Sequence, residues 1–237
     1  MPFDTSFRAP AREQVLVHGA SDVEPRFMAS VYRWMTGGLA LTALVAFSVA
    51  SSEEALRFVV GNRIVFFGLI LGQLALVVAL SAAAQRLSAA AAGGLFLLYS
   101  ALNGATLSVV LLVYTGASVA LAFASTAGMF LAMSLYATVT RRDLSSWGSF
   151  LFMGLVGVVL ASLVNIFLHS SLVTFVVSCM SVVVFTGLTA YDTQKLRAFA
   201  RAGGGSGSLA VNGALALYLD FVNLFLALLR LFGGRRN

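Results

Sequence analysis

Seven long, predominantly apolar runs are the feature that most limits what this chain can fold into. They cover residues 31–50, 58–80, 89–114, 119–139, 147–168, 172–191 and 209–232. An α-helix needs roughly 20 apolar residues to cross a hydrocarbon core about 30 Å thick, and these runs have about that length. A transmembrane β-barrel would instead show segments of about ten residues that alternate between apolar and polar side chains. The runs therefore predict an all-α membrane protein with seven transmembrane helices.

Composition excludes the soluble alternatives. Hydrophobic residues make up 59% of the chain and charged residues 10%, whereas soluble domains carry roughly 25% charged residues. One cysteine and two histidines are too few for a disulfide framework or a structural zinc site of the usual kind. The net charge of +6 suits a chain whose basic residues face anionic lipid headgroups. We therefore expect the lipid bilayer as a partner and no nucleic acid.

The chain divides into three parts. Residues 1–30 are polar and charged, and we expect a mobile N-terminal tail there, without the arrangement of a signal peptide. Residues 31–232 form the seven-helix transmembrane domain, and residues 233–237 form a basic C-terminal tail. A glycine-serine stretch at 203–208 separates the sixth and seventh segments, and such a composition is flexible.

The distribution of lysine and arginine predicts the orientation, because loops on the cytoplasmic side carry an excess of them. If every segment crosses, ten of the 15 lie on the side of the N-terminus: Arg8, Arg12, Arg26, Arg33, Arg86, Arg141, Arg142, Lys195, Arg197 and Arg201. Five lie on the other side: Arg57, Arg63, Arg230, Arg235 and Arg236. The bias places the N-terminus in the cytoplasm. A re-entrant last segment would move the last three arginines across, but its length favours a full crossing.

Two aspartates stand in or beside the apolar runs. Asp220 lies near the middle of the seventh segment, and Asp192 directly follows the sixth. A charge at the centre of a bilayer costs about 2.5–3.5 kcal/mol on insertion scales, so it marks a functional site by default. If the sixth helix continues to about residue 201, the two residues lie about 13 and 16 Å from adjoining helix ends. Consecutive helices are antiparallel, so the sequence permits these two carboxyl groups to meet.

Such a pair has a definite chemistry. Two carboxylates in a low-dielectric site cannot both ionise cheaply, so they titrate as a coupled unit. When ionised, they offer oxygen ligands to a hard cation such as Ca²⁺. Two plainer interpretations stay open. Asp192 ends its helix at the interface beside Lys195 or Arg197, and Asp220 forms a hydrogen bond to a neighbouring helix without any function.

Arg63, near the start of the second segment, is a candidate ion-pair partner for these carboxylates. The alternative is that its side chain extends to the lipid headgroups. The sequence contains no HExxH, no GxSxG and no glycine-rich phosphate loop. We therefore expect neither an enzyme nor a bound cofactor.

Three stretches resemble the Bax inhibitor-1 (transmembrane BAX inhibitor motif) family in its bacterial branch. They are Asn-Gly-Ala-Thr-Leu-Ser at 103–108, Ala-Tyr-Asp-Thr-Gln-Lys-Leu at 190–196, and a run beginning Leu-Asp-Phe-Val-Asn-Leu-Phe at 219–225. The resemblance implies a central seventh segment surrounded by three helical hairpins. It also implies a pH-sensitive Ca²⁺ leak gated by the aspartates Asp192 and Asp220, with Arg63 as the arginine that pairs with Asp192.

The function expected from the sequence is therefore a passive Ca²⁺ leak channel of the bacterial inner membrane. Protons and the transported Ca²⁺ are its small partners, and Asp192 and Asp220 are its pH sensor, its gate and its Ca²⁺ ligands. Two alternatives from other classes stay open. One is a regulatory membrane protein that conducts nothing and binds a membrane protease or another membrane protein. The other is a proton-coupled transporter that uses the same carboxylates.

Overall fold

The computed structural model describes residues 23–203 and 205–234, and this part of the chain is helical without strands. The helices are α1 Val23–Ala50, α2 Glu53–Val59, α3 Arg63–Ala82, α4 Ala89–Val113, α5 Gly116–Val139, α6 Gly148–Leu168, α7 Ser171–Arg201 and α8 Gly207–Phe232. All except the short α2 are long and apolar enough to cross a membrane, which makes seven. The predicted all-α fold with seven spanning helices is confirmed.

Polar residues in the short connections determine where the helices begin. The side chains of Ser88, Thr115 and Ser170 each accept a hydrogen bond from a backbone N–H in the first turn of α4, α5 and α7. A hydroxyl in this position satisfies one of the N–H groups that a helix start leaves without a partner. Each of these connections therefore supplies the cap of the helix that follows it.

The first helix begins earlier than predicted. Residues 23–30, which we assigned to the N-terminal tail, are the first two turns of α1. Glu24 in the first turn is paired with Arg197 and Arg201 near the end of α7. These ion pairs hold a polar turn in helical form where hydropathy alone indicates a tail. Residues 1–22 lie outside the described residues.

Two other boundaries differ from the prediction. The second apolar run is interrupted, because the Asn62 side chain accepts hydrogen bonds from the N–H groups of Ile64 and Val65 and starts α3 there. The sixth segment continues ten residues past Tyr191 and ends at Arg201. This extension carries Asp192 into the body of α7. The predicted C-terminal tail, residues 233–237, is described only as far as Gly234.

Helix α8 is the most buried of the spanning helices. In its most apolar stretch 56% of the residues are buried, whereas in α3 and α6 the share is 6%. Helix α8 runs the length of the bundle. At its start, the Ser208 hydroxyl donates to the carbonyl of Ala84 between α3 and α4. Past its end, Thr115 N–H donates to the Gly234 carbonyl and Gly234 N–H donates to the Ser118 hydroxyl. The helix thus joins both ends of the bundle, as expected for a segment that does not re-enter.

Helix α1 packs most extensively against α4, and α5 packs against α7 rather than mainly against its chain neighbour α4. This differs from the three hairpins of neighbouring helices that the resemblance implied, of which only α6 and α7 form an extensive interface among the described residues. Glycines explain the α1–α4 contact. A Cβ atom on Gly104 would lie 2.5 Å from the Thr42 carbonyl oxygen, and one on Gly93 would lie 2.6 Å from the Trp34 ring. Small residues of this kind allow helices to approach closely in membranes.

Candidate functional site

Asp220 lies in the core of the bundle on α8, with 4% of its surface exposed. No donor among the described residues gives a hydrogen bond to its Oδ2 atom. A buried carboxylate oxygen without a partner carries a desolvation cost, which is larger for charged groups than for neutral ones. Asp220 is therefore a buried acid with one oxygen that lacks a partner, a property that it shares among the described residues with the Thr186 hydroxyl.

Asp192 faces Asp220 from α7, close enough for the two carboxyl groups to act on each other directly. Ionised carboxylates only accept hydrogen bonds, so a hydrogen bond between two carboxyl groups requires a proton on one of them. The structure thus brings together the two residues whose depths matched in the sequence. It does so because α7 continues to Arg201 and α8 returns antiparallel beside it.

The two members of the pair differ in burial and in the charges near them. Asp192 is half-buried, and the charge of Lys195, one turn further along α7, acts on its carboxyl group. The Lys195 ammonium itself lies 5.7 Å from the centre of the Tyr191 ring. On the next position of α7, the Thr193 hydroxyl lies 3.5 Å from the Ser134 hydroxyl of α5. Asp220 is therefore buried in the core, and Asp192 is the partly exposed member of the pair.

Arg63 does not join the pair. It is exposed at the start of α3, and none of the ion pairs among the described residues connects it to either aspartate. Helix α3 begins at the end of the bundle where α7 also begins, about 30 Å along the helix axis from Asp192 at 1.5 Å per residue. The expected ion pair with Asp192 is therefore absent from this structure, since the two side chains lie at different depths.

The interface interpretation of Asp192 holds only in part, because α7 continues past Asp192 to Arg201, while the charge of Lys195 does act on Asp192. Arg197, its suggested partner, donates to Glu24 of α1 and to the carbonyl of Thr138 on α5. Arg201 donates to the same Glu24 carboxylate. These two arginines connect α7 to α1 and α5, and Asp192 is left to Asp220 and Lys195.

A hydrogen-bonded network near the pair was not predicted as part of the site. The Tyr218 hydroxyl accepts from Asn103 Nδ2 at 2.8 Å and lies 2.6 Å from the Thr42 hydroxyl. Thr42 donates its own proton to the Ser100 carbonyl at 2.9 Å, so Tyr218 donates to Thr42. We call these residues, Thr42, Ser100, Asn103 and Tyr218, the tyrosine network. The signal for it was the polar Asn103 in an apolar run, which by itself indicates only helix packing.

Comparison with known proteins identifies the family. The family model described as Inhibitor of apoptosis-promoting Bax1 matches residues 24–237. The chain belongs to the Bax inhibitor-1 family. Escherichia coli inner membrane protein YbhL is 53% identical over 226 residues, covering 91% of this chain and 97% of that protein. An uncharacterized Deinococcus radiodurans protein is 49% identical over 213 residues, covering 88% and 90%. An uncharacterized Borreliella burgdorferi protein is 43% identical over 219 residues, covering 91% and 94%.

The three stretches that resemble the Bax inhibitor-1 family meet inside the bundle. The first supplies Asn103 of the tyrosine network on α4, the second supplies Asp192 on α7, and the third supplies Asp220 on α8. Helix α8 contacts both α4 and α7. The three stretches therefore lie on α8 and on two of the helices that pack against it. Together with the spanning helices and the name of the E. coli relative, family membership supports an inner membrane protein in contact with the bilayer.

Proposed function

We propose that this Bax inhibitor-1 family protein is a passive Ca²⁺ leak channel of the inner membrane whose conductance is set by protons on Asp192 and Asp220. The observation that carries the proposal is the pairing of two carboxyl groups from consecutive helices, one of them 4% exposed in the core. An ionisable residue inside a bundle of spanning helices marks ion pathways and proton relays by default. A purely structural helix contact has no need of two acids.

The number of protons on the pair changes the force between α7 and α8. With one proton, the two carboxyl groups can share a hydrogen bond, because the protonated group is a donor. With none, two like charges repel across a site of low dielectric constant. The connection between the helices can accommodate a shift, because it contains Gly203 with a φ of +89°, a conformation that favours glycine. Protonation is therefore coupled to the separation of these two helices.

Calcium in this proposal is cargo and not a resident ion. Ca²⁺ takes six to eight oxygen ligands when it is held tightly. Among the described residues, no three histidine, cysteine, aspartate or glutamate side chains come together as a metal site. The pair alone offers two carboxylates, which suits brief binding during passage, since conduction requires an ion to leave as well as to enter. We propose no cofactor and no catalytic reaction.

The test is Ca²⁺ flux into liposomes that contain the purified full-length protein, measured with a trapped indicator at a series of pH values. Asp220→Asn keeps the size of the side chain and removes its charge. We expect the ratio of flux between acid and alkaline buffer to change to about one in this variant, because a single acid no longer forms a coupled pair. Asp143→Asn is the matched control, because Asp143 is an exposed loop carboxylate hydrogen-bonded to Ser145.

Three outcomes would contradict the proposal. An Asp220→Asn protein whose flux still follows pH like the parent would place the sensor elsewhere. Flux that is driven uphill by an imposed proton gradient would indicate a proton-coupled transporter. A parent protein without flux at any pH would favour the non-conducting regulatory protein, and a search for a membrane protein partner would then follow.

A further inference from the structure

A basic cavity of about 460 Å³ lies at the end of the bundle where α5 and α7 finish. Five cationic side chains line it, namely Arg141, Arg142, Lys195, Arg197 and Arg201, together with a single carboxylate, that of Asp143. We call this cavity the basic cavity. Because it sits where the apolar helices end, it lies at the level of the lipid headgroups.

Most of this positive charge is not neutralised by the protein. Glu24 pairs with Arg197 and Arg201, but Arg141, Arg142 and Lys195 take part in none of the ion pairs among the described residues. Asp143 accepts a hydrogen bond from Ser145 N–H at 2.9 Å, and hydrogen bonding to Ser145 holds the pKa of Asp143 below its ordinary value. The five cations of the cavity face the carboxylates of Asp143 and Glu24, and Lys195 also acts on Asp192. The cavity still has a surplus of positive charge, which attracts an anion.

The loop that carries the arginines is fixed in place. The Gln194 side chain on α7 donates to the Arg142 carbonyl at 2.9 Å and accepts from Leu144 N–H at 2.7 Å. Gln194 thus clamps the connection between α5 and α6 onto α7. A pre-organised set of cations loses less freedom on binding than a mobile one.

A second cavity of about 340 Å³ adjoins the first and has a different lining. It shares Arg142, Asp143 and Tyr191 with the basic cavity, and its other lining residues include the apolar or aromatic Met133, Tyr136, Trp147 and Leu151. It lies in the gap between α5 and α6, two helices without an extensive mutual interface in the described chain, with α7 behind them. We call it the side cavity.

We propose that the two cavities together bind one anionic phospholipid, with its phosphate in the basic cavity and the start of an acyl chain in the side cavity. Basic pockets between membrane helices recognise anionic lipid headgroups. An apolar space continuous with the anion site distinguishes a lipid from a free phosphate ester, which has no chain to place there. Neither Asp192 nor Asp220 lines this site, which is connected to the pair only through the charge of Lys195 on Asp192. The lipid can therefore bind whether or not the proposed leak exists.

The experiment measures the thermal stability of the purified full-length protein in a neutral detergent during titration with defined lipids. Phosphatidylglycerol is compared with phosphatidylcholine of the same acyl chains and with water-soluble glycerol phosphate. We expect the apparent Tm to rise with phosphatidylglycerol and to remain unchanged with the other two, because a ligand that binds the folded state stabilises it. In the double variant Arg141→Gln/Arg142→Gln we expect an apparent Kd for phosphatidylglycerol about thirtyfold weaker.

The matched control is Arg57→Gln/Arg63→Gln, which removes the same charge from exposed positions at the other end of the bundle. This variant should bind phosphatidylglycerol like the parent. Equal loss of affinity in both double variants would show only a general effect of net charge and would overturn the site. A Tm rise with glycerol phosphate equal to that with phosphatidylglycerol would show that a soluble anion is the ligand. Unchanged lipid affinity in the Arg141→Gln/Arg142→Gln protein would overturn the proposal outright.

Discussion

At the scale of single residues, Tyr218 and Asp220 of α8 face different neighbouring helices. Two residues apart on a helix, they point in nearly opposite directions. Tyr218 joins α8 to α1 and α4 through neutral hydrogen bonds to Thr42 and Asn103. Asp220 lies on the side of α8 that faces α7, next to the carboxyl group of Asp192. One side of the central helix is therefore held by neutral hydrogen bonds, and the other carries the carboxyl group that we propose as part of the pH sensor.

The tyrosine network yields a prediction about stability. Tyr218→Phe keeps the buried ring but leaves the amide of Asn103 and the hydroxyl of Thr42 each short of a partner. We expect the free energy of unfolding to fall by about 1–3 kcal/mol, the cost of leaving buried polar groups unsatisfied. Reversible unfolding of the purified protein in mixed micelles measures this change.

Tyr99→Phe is the control for that variant, since the Tyr99 ring lies 5.6 Å from the Tyr218 ring and is also buried. Among the described residues its hydroxyl has no hydrogen bond of the kind made by Tyr218, so its loss should cost less. Equal losses in the two variants would mean that Tyr218 acts through ring packing alone.

At the scale of helices, hydropathy predicts the number of membrane-spanning helices. It does not predict helix boundaries that depend on contacts with particular residues. Seven spans follow from hydropathy, because lipid requires long apolar helices. The early start of α1 does not follow from it, because Glu24 is stabilised by arginines more than 170 positions away. The break before α3 has a local signal in Asn62, which is a favoured helix cap.

The candidate site was likewise predicted from the sequence only in part. The depths of Asp192 and Asp220 could be calculated from the sequence, because both residues lie on helices joined by a short turn and helix rise is constant. The tyrosine network could not, because its members come from α1, α4 and α8, and an all-round apolar helix gives no sign of which face meets which neighbour. Arg63 was misplaced because the resemblance named a residue type without fixing its depth.

The α1–α4 contact gives a prediction at this scale. A Cβ atom on Gly104 would lie 2.5 Å from the Thr42 carbonyl oxygen and 2.9 Å from the Val45 side chain. Gly104→Ala should therefore push α1 away from α4 and lower the free energy of unfolding by about 1–3 kcal/mol, a typical effect of overpacking. The same unfolding assay measures it.

The control is Gly128→Ala on α5, where an added Cβ atom has no neighbour within 4 Å. Alanine has a higher helix propensity than glycine by about 1 kcal/mol, so this variant should be neutral or slightly stabilised. A Gly104→Ala protein as stable as Gly128→Ala would show that α1 and α4 do not need to approach so closely.

At the scale of the whole molecule, the two ends of the bundle differ in charge. The end where α7 finishes has Arg141, Arg142, Lys195, Arg197 and Arg201 around the basic cavity. At the other end, Arg57 is paired with Glu53 in the short helix α2, and Arg63 and Arg230 are the other cations in the described part. The same bias was counted along the sequence, and from it we predict that the basic end faces the cytoplasm.

The orientation gives the last prediction. Helix α8 begins at the basic end and finishes beside the connection between α4 and α5 at the other end, so the two termini should lie on opposite sides of the membrane. A fluorescent protein that matures only in the cytoplasm should be bright when fused before Met1 and dark when fused after Asn237. Alkaline phosphatase, which needs an oxidising compartment for its disulfides, should be active only after Asn237. A bright C-terminal fluorescent fusion would mean that α8 re-enters, and it would place Arg230 with the other cytoplasmic arginines.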